Sequence, residues 1–341
     1  SGSMQQMIDN RRGGIPDEAR KKLQPYSKIL GASIIRCLEG DRSNRFRDGD
    51  SLQRSLAWAR NPQADTLFKP RSHWISRFIA WTPFWTVSIL TMGISAAAVF
   101  FISTYNLDIS VPESAQGSAA NPGLFQKIML YTNVMWFTLG GIIIFWLTRP
   151  VSRCLAARQR GQPCSAEMID AGIRRNLRLG HYISIMSVAE WTLGGILYPL
   201  AFALFGYLLE PKAAFDFISS HTIAAMITGA YVFWTVSFCA LYVWQPRLLE
   251  AALDHDARLD WSSEHRLLDR LYGFYHVLAI AAPIVAIAWI VQVSDHPTDE
   301  RSLRVLSLIA LGGLVVLVWS SRQVKYWLGV QKSFNPENQD L

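Results

Sequence analysis

One carboxylate stands inside a long apolar run: Glu190, in SVAEWTLGG. An ionisable side chain at bilayer depth is costly and marks a proton, ligand or switch site, or a hydrogen-bonded tie between helices. Ser187 at i−3 and Gly194 at i+4 share its helical face, and Gly194-Gly195 let a neighbouring helix approach closely. Pro199 and Pro283 each remove a backbone donor and are expected to kink their helices. Three histidines, His181, His221 and His276, fall near the ends of apolar runs. The pattern H-E-x-x-H is absent, which excludes that zinc-protease arrangement. The ligand or switch candidates are therefore Glu190, Ser187, Trp191, Pro199 and His221. A functional and a structural role for Glu190 both stay open.

A second cluster of acids lies in EAALDHDARLD: Glu250, Asp254, Asp256 and Asp260. Helical i, i+4 spacing presents them in pairs, and carboxylates beside a membrane can hold Mg²⁺ for lipid-phosphate chemistry. Arg247, Arg258 and Arg266 are interleaved, so a solvated helix of mixed charge explains the same pattern without metal. Asp254, Asp256 and Asp260 are the residues a metal would use; the expectation is no metal and no cofactor. Cys37, Cys154, Cys164 and Cys239 lack metal-ligand spacing and read as reduced, structural thiols.

The elements that hold these residues are set by hydropathy. Half of the 341 residues are hydrophobic and 13 are Trp, which excludes an ordinary water-soluble domain. A bilayer core of about 30 Å needs roughly 20 apolar residues per helix. Six runs qualify, near 82–104, 128–148, 182–208, 222–244, 271–293 and 304–321, the last completed by snorkelling of Arg322 and Lys325. Their length excludes barrel strands. The predicted fold is all-α and polytopic, six transmembrane helices behind a short cytoplasmic helical segment.

Lys and Arg set the orientation. The segment before the first span carries 15, the stretch 149–181 carries 7, 245–270 carries 4 and the tail 3. The remaining connections share Lys127, Lys212, Arg301 and Arg304. Both termini and the basic loops 149–181 and 245–270 are expected in the cytosol of a bacterial inner membrane, with 105–124 outside. The net charge of +7 points to the anionic leaflet, not to nucleic acid. Trp74, Phe78, Trp81 and Trp85 recur on one helix face beside Lys69, Arg71 and Arg77, predicting an interfacial helix over 71–82 that turns at Pro83. Ser1-Gly2-Ser3 reads as an expression scar, and Met4 as a start or a trimmed edge. The divisions are 1–3, a cytoplasmic segment 4–70, the interfacial helix 71–82, the membrane domain 82–328 and a tail 329–341.

Within 4–70, residues 16–40 carry a broad apolar face, and Asp48 can cap a second helix containing Leu52 and Leu56. Two helices this short cannot bury a core alone. The run C-L-x-x-D-x-x-x-R-F-x-D-G-x-x-L, with Asp41, Arg45 and Asp48 at its polar positions, resembles the last two helices of the C-terminal lobe of eukaryotic-like bacterial Ser/Thr protein kinases. In that family an arginine matching Arg45 pairs with the glutamate of an A-P-E segment. Arg174-Arg175-x-Leu177, Trp191, Gly194-Gly195, Pro199, Ser220-His221, Gly229 and Pro246 resemble the six-helix module that follows the kinase domain in some receptor-type kinases. The pattern departs at Thr222, where the module carries an aromatic residue. The chain has no G-x-G-x-x-G, H-R-D or D-F-G, so the parts that perform phosphoryl transfer are missing.

The resemblance implies a membrane-anchoring, sensory module of a receptor-type kinase. Its implied partners are the lipid bilayer, a second copy of the chain, and a kinase catalytic region or another cytosolic signalling protein. A small-molecule transporter or channel and a membrane-surface enzyme acting on lipid are the alternatives.

Overall fold

The computed structural model describes residues 28–42, 45–60, 74–105, 122–162, 164–205, 209–254, 262–293 and 314–330 apart from 316, together with positions 18, 21 and 22. Among them every regular element is helical. The short helices α1 (Lys28–Cys37), α2 (Gly49–Ala59) and α3 (Trp74–Trp81) precede four long ones: α4 (Pro83–Tyr105), α5 (Pro122–Gln159), α6 (Ala166–Leu204) and α7 (Pro211–Cys239). A π-helical turn at Ala240–Trp244 joins α7 to α8 (Gln245–Asp254), and α9 (Ser262–Val293) follows. Residues 317–330 are also helical.

Five helical stretches are long and apolar enough to cross a bilayer: Pro83–Ser103, Gln126–Gln159, Ala166–Leu204, Pro211–Ala252 and Arg266–Trp289. By length and composition this is a membrane protein. The expected sixth span begins in 304–313, outside the described residues. The connection 105–124 is likewise described only at its edges.

Burial identifies the centre of the bundle. Within the most apolar window of each span, 67% is buried for the stretch containing α7, against 22% for α4 and 17% for α5. Apolar side chains such as Trp85, Ile89, Phe100, Ile142, Phe145 and Ile284 point outward, the surface that lipid covers. Helices α6 and α7 form the tightest pair, with α5 on α6 and with α4 and α9 on α7.

Small residues draw α6 and α7 together. A Cβ at Gly195 would lie 2.7 Å from His221 Cβ, and one at Gly180 would lie 2.9 Å from the Phe233 carbonyl oxygen. The approach lets Ser184 donate to the Gly229 carbonyl at 2.8 Å across the seam. Such contacts substitute for a hydrophobic driving force, which lipid does not supply between helices.

The basic stretch 149–181 is not a loop. Helix α5 continues to Gln159 and α6 begins at Ala166. Hydropathy marks where the bilayer ends, not where the helix ends. Val151, Cys154 and Leu155 on α5 and Ile169, Ile173 and Leu177 on α6 are buried between the projecting ends. The turn closes at Gly161, with φ +66, while Gln162 N–H donates to the Ala157 carbonyl at 2.9 Å, a glycine-centred C-cap. Ser165 then caps α6 by accepting from Met168 N–H at 3.2 Å.

The π turn has a covalent cause. Pro246 has no N–H for the carbonyl four residues earlier, and Gln245 N–H reaches back five residues to the Ala240 carbonyl. Side chains add further donors to the carbonyls of this turn. Asn176 Nδ2 donates to the Ala240 carbonyl at 2.9 Å and to Gln245 Oε1 at 2.7 Å, and the Arg247 guanidinium donates to the Val243 carbonyl. On the other side, Trp244 Nε1 donates to the Ile79 carbonyl of α3 at 2.8 Å. This one turn therefore ties α3 to α6.

Candidate functional site

Four helices converge on one cavity of about 50 Å³ around Glu190. Helix α4 supplies Ser95, Val99, Ile102 and Ser103, one face at helical spacing. Asn133, Trp136 and Phe137 come from α5, Glu190, Trp191, Gly194 and Tyr198 from α6, and His221 from α7. Ser103 lies two residues before the end of α4 and Tyr198 six before the end of α6. The cavity thus lies toward the end of the bundle where α4 and α6 finish.

Glu190 turns toward α5. A Cβ at Gly140 would sit 2.8 Å from Glu190 Oε1, so the carboxyl rests against the α5 backbone where a glycine leaves room for it. Oε1 is buried and has no hydrogen-bond partner among the described residues. One turn away, Trp136 Nε1 is likewise buried without a partner. It approaches a Gly194 Cβ position at 3.9 Å, opposite His221 Cδ2 at 3.8 Å. An unmet acceptor and an unmet donor are each costly when buried, and here they face one cavity.

Aromatic rings close the other side. His221 packs against Trp191, Tyr198 and Phe217 at centroid distances of 5.7, 5.3 and 6.2 Å. His221 Nδ1 lies 2.8 Å from the Phe217 carbonyl oxygen. A carbonyl only accepts, so Nδ1 carries the proton, and Nε2 of the neutral ring is an acceptor.

Of the five ligand or switch candidates, Glu190, Trp191 and His221 line this cavity, and two do not. Ser187 is buried in the α6–α7 seam, donating to Thr228 Oγ1 at 3.5 Å. Its i−3 position points it toward α7 while Glu190 faces α5. Pro199 sits inside α6, next to the lining residue Tyr198 but outside the lining. Sequence reasoning missed Trp136, Tyr198 and Gly140. The available signal was the matched pair Trp136-x-x-x-Gly140 and Glu190-x-x-x-Gly194, each a large polar-tipped residue one turn from a glycine. It also missed Asp216, which is buried on α7, one turn beyond Lys212.

Elsewhere, Arg178 on α6 grips Glu264 in the first turn of α9, with Nε 2.8 Å from Oε2 and Nη2 against Oε1. Glu264 is buried. His181 lies 3.1 Å from the Tyr275 hydroxyl. Glu250 of the acidic cluster pairs with Arg158 at 2.9 Å. Asp256, Asp260 and the Asp254 side chain lie outside the described residues. Among the described residues no three His, Cys, Asp or Glu side chains come together as a metal site.

At the N-terminal helix pair, Arg45 Nε donates to the Glu39 carbonyl at 2.7 Å and Nη2 to the Gly40 carbonyl at 3.4 Å. It holds the carbonyls of the turn that follows α1. Arg36 lies over the Phe46 ring at 4.4 Å. Asp48 caps α2, accepting from Ser51 N–H at 2.8 Å. Asp41 is exposed in the turn between them. Ser33 and Ser55 meet at 2.6 Å across the pair. Ile29 is buried in the same apolar cluster that holds the bundle, with Trp58 and Ala59 packed on it.

Comparison with family models, with curated proteins and with solved structures finds no match for this chain.

Proposed function

We propose that this chain is a membrane-anchored signalling module in which the Glu190 cavity is the responsive element and α3 the output. The observation that carries the reading is the convergence on one cavity of Glu190, Trp191 and His221, with an unpartnered carboxyl oxygen among them. Among the described residues this oxygen takes no protein partner, so a proton or a ligand in the cavity biases how α5 and α6 sit around it. The rigid route outward follows α6 and the α6–α7 seam to the π turn, where Asn176 holds the turn and Trp244 holds α3. A small shift of packed helices suffices for such a switch.

In this reading the module has six spans and cytoplasmic termini in a bacterial inner membrane, self-associates, and serves a receptor-type Ser/Thr kinase whose catalytic region is not in this chain. The helix pair around Arg45 supports the kinase connection only as a resemblance of sequence. The closed α6–α7 seam beside the cavity, with Ser184 bonded to the Gly229 carbonyl and Gly180 against Phe233, favours this reading over a transport pathway. The test is hydrogen exchange of the chain in lipid nanodiscs, comparing wild type with Glu190→Gln. The reading expects altered protection in 74–81 and 240–245 with the same oligomeric state. Unchanged protection in both segments contradicts it.

A further inference from the structure

We infer that the Glu190 cavity is a binding site for a small protonated amine that also carries a hydrogen-bond acceptor, an amino alcohol of the 2-aminoethanol type. The inference rests on the reading of this cavity as the responsive element, and names its ligand class.

Charge comes first. Among the described residues the lining holds one carboxylate and neither Lys nor Arg. That excludes an anionic ligand and leaves an ionised Glu190 without a protein counter-charge in the wall. The rings come second. Trp136, Phe137, Trp191 and Tyr198 surround the site with His221, and aromatic faces beside a carboxylate attract an ammonium group through the ring quadrupole. Neutral His221 adds an acceptor at Nε2, since Nδ1–H is committed to Phe217.

The unmet donor narrows the class. An ammonium accepts nothing, so a simple amine would leave Trp136 Nε1–H unpaired. Glu190 Oε1 meets Gly140, whereas Trp136 Nε1 meets the Gly194 level, one turn along each helix. Four residues at 1.5 Å each separate them by about 6 Å along the axis. A two-carbon amino alcohol spans this gap, with its ammonium on Glu190 and its hydroxyl oxygen accepting from Trp136. Size sets the upper limit. A single water needs about 10–15 Å³ of cavity, so 50 Å³ takes only a few non-hydrogen atoms. Choline, with three N-methyl groups, exceeds it.

The experiment is calorimetric titration of the full chain in nanodiscs made of phosphatidylcholine. The titrants are 2-aminoethanol, ethylamine, ethanol and choline, each repeated with phosphatidylethanolamine in the bilayer. The inference expects saturable binding of 2-aminoethanol, about tenfold weaker binding of ethylamine, and none of ethanol or choline. Glu190→Gln abolishes binding of both amines. Trp136→Phe retains ethylamine binding and removes the preference for 2-aminoethanol, a readout that mere loss of fold does not produce. Competition by phosphatidylethanolamine, entering by its aminoethyl end with the phosphate left outside the cavity, identifies a lipid headgroup as the source of the amine, and its absence identifies a free solute; either fits the inference. No saturable amine binding overturns it, as does amine binding unchanged by Glu190→Gln. A chain that binds no amine yet changes α3 protection on Glu190→Gln rejects this ligand class and leaves the proposed switch standing.

Discussion

Gly140→Ala separates the site from the stability of the helix that carries it. Position 140 is buried mid-helix on α5. Alanine favours a helix interior over glycine by roughly 0.5–1 kcal/mol, so the backbone effect is stabilising. The three atoms nearest the added Cβ all belong to Glu190: Oε1 at 2.8 Å, with Cδ and Oε2 at 3.5 Å. Ordinary contact starts near 3.4 Å, so the carboxyl must retreat by about 0.6 Å. Because the obstacle is the tip of a flexible side chain, one χ adjustment accommodates it, at about 0.5–1.5 kcal/mol if the rotamer is strained. The two effects nearly cancel. The expected outcome is a Tm within a few degrees of wild type, together with a several-fold change in the rate at which a hydrophobic carbodiimide modifies Glu190, measured by mass spectrometry of the peptide containing it. A variant that unfolds, or one in which carbodiimide modification of Glu190 is unchanged, refutes the placement of this carboxyl against α5.

Other substitutions probe the supports. Arg178→Ala strands the buried carboxylate of Glu264; because Arg178 is itself 38% exposed, the expected loss is about 2 kcal/mol, below the 3–5 of a fully buried pair, read as a lower Tm in detergent. Asn176→Ala leaves Gln245 Oε1 without its donor and removes the second of two donors to the Ala240 carbonyl; it costs about 1–3 kcal/mol, seen as faster hydrogen exchange at 240–245. Trp244→Phe keeps an aromatic ring but loses the indole N–H and its bond to the Ile79 carbonyl, so proteolysis near α3 accelerates while the bundle retains its elution volume. Arg45→Ala removes an exposed tie across the turn between α1 and α2 and costs less than about 1 kcal/mol, read as a small drop in Tm with the bundle unchanged.

The long apolar helices were legible in the sequence because hydropathy over 20 residues reports on the solvent, and Glu190 stood out for the same reason. The short helix before Pro83 was legible from aromatic spacing. Helix ends beyond the bilayer were not: α5 and α6 run on through charged residues because their buried apolar positions recur at helical spacing, which a hydropathy window averages away. The companions of Glu190 were hidden for a different reason. Trp136 and Gly140 lie some fifty residues away on another helix, and only the rotation of α5 against α6 brings them to the carboxyl. Ser187 shows the converse, since sharing a helical stripe with Glu190 did not place it in the same cavity. The π turn follows from Pro246, but its two tethers, Asn176 and the Ile79 carbonyl, are tertiary.

The central claim is that the state of the Glu190 cavity is felt at α3. Spin labels on the exposed positions Phe78 of α3 and Phe274 of α9, with distances measured by pulsed electron resonance in nanodiscs, test it directly. The account predicts that Glu190→Gln moves the Phe78–Phe274 distance distribution by about 1–2 Å, the scale of helix shifts in switching proteins, and that adding Trp244→Phe abolishes the change. Superimposable distributions for wild type and Glu190→Gln, in a folded chain of unchanged oligomeric state, would contradict it.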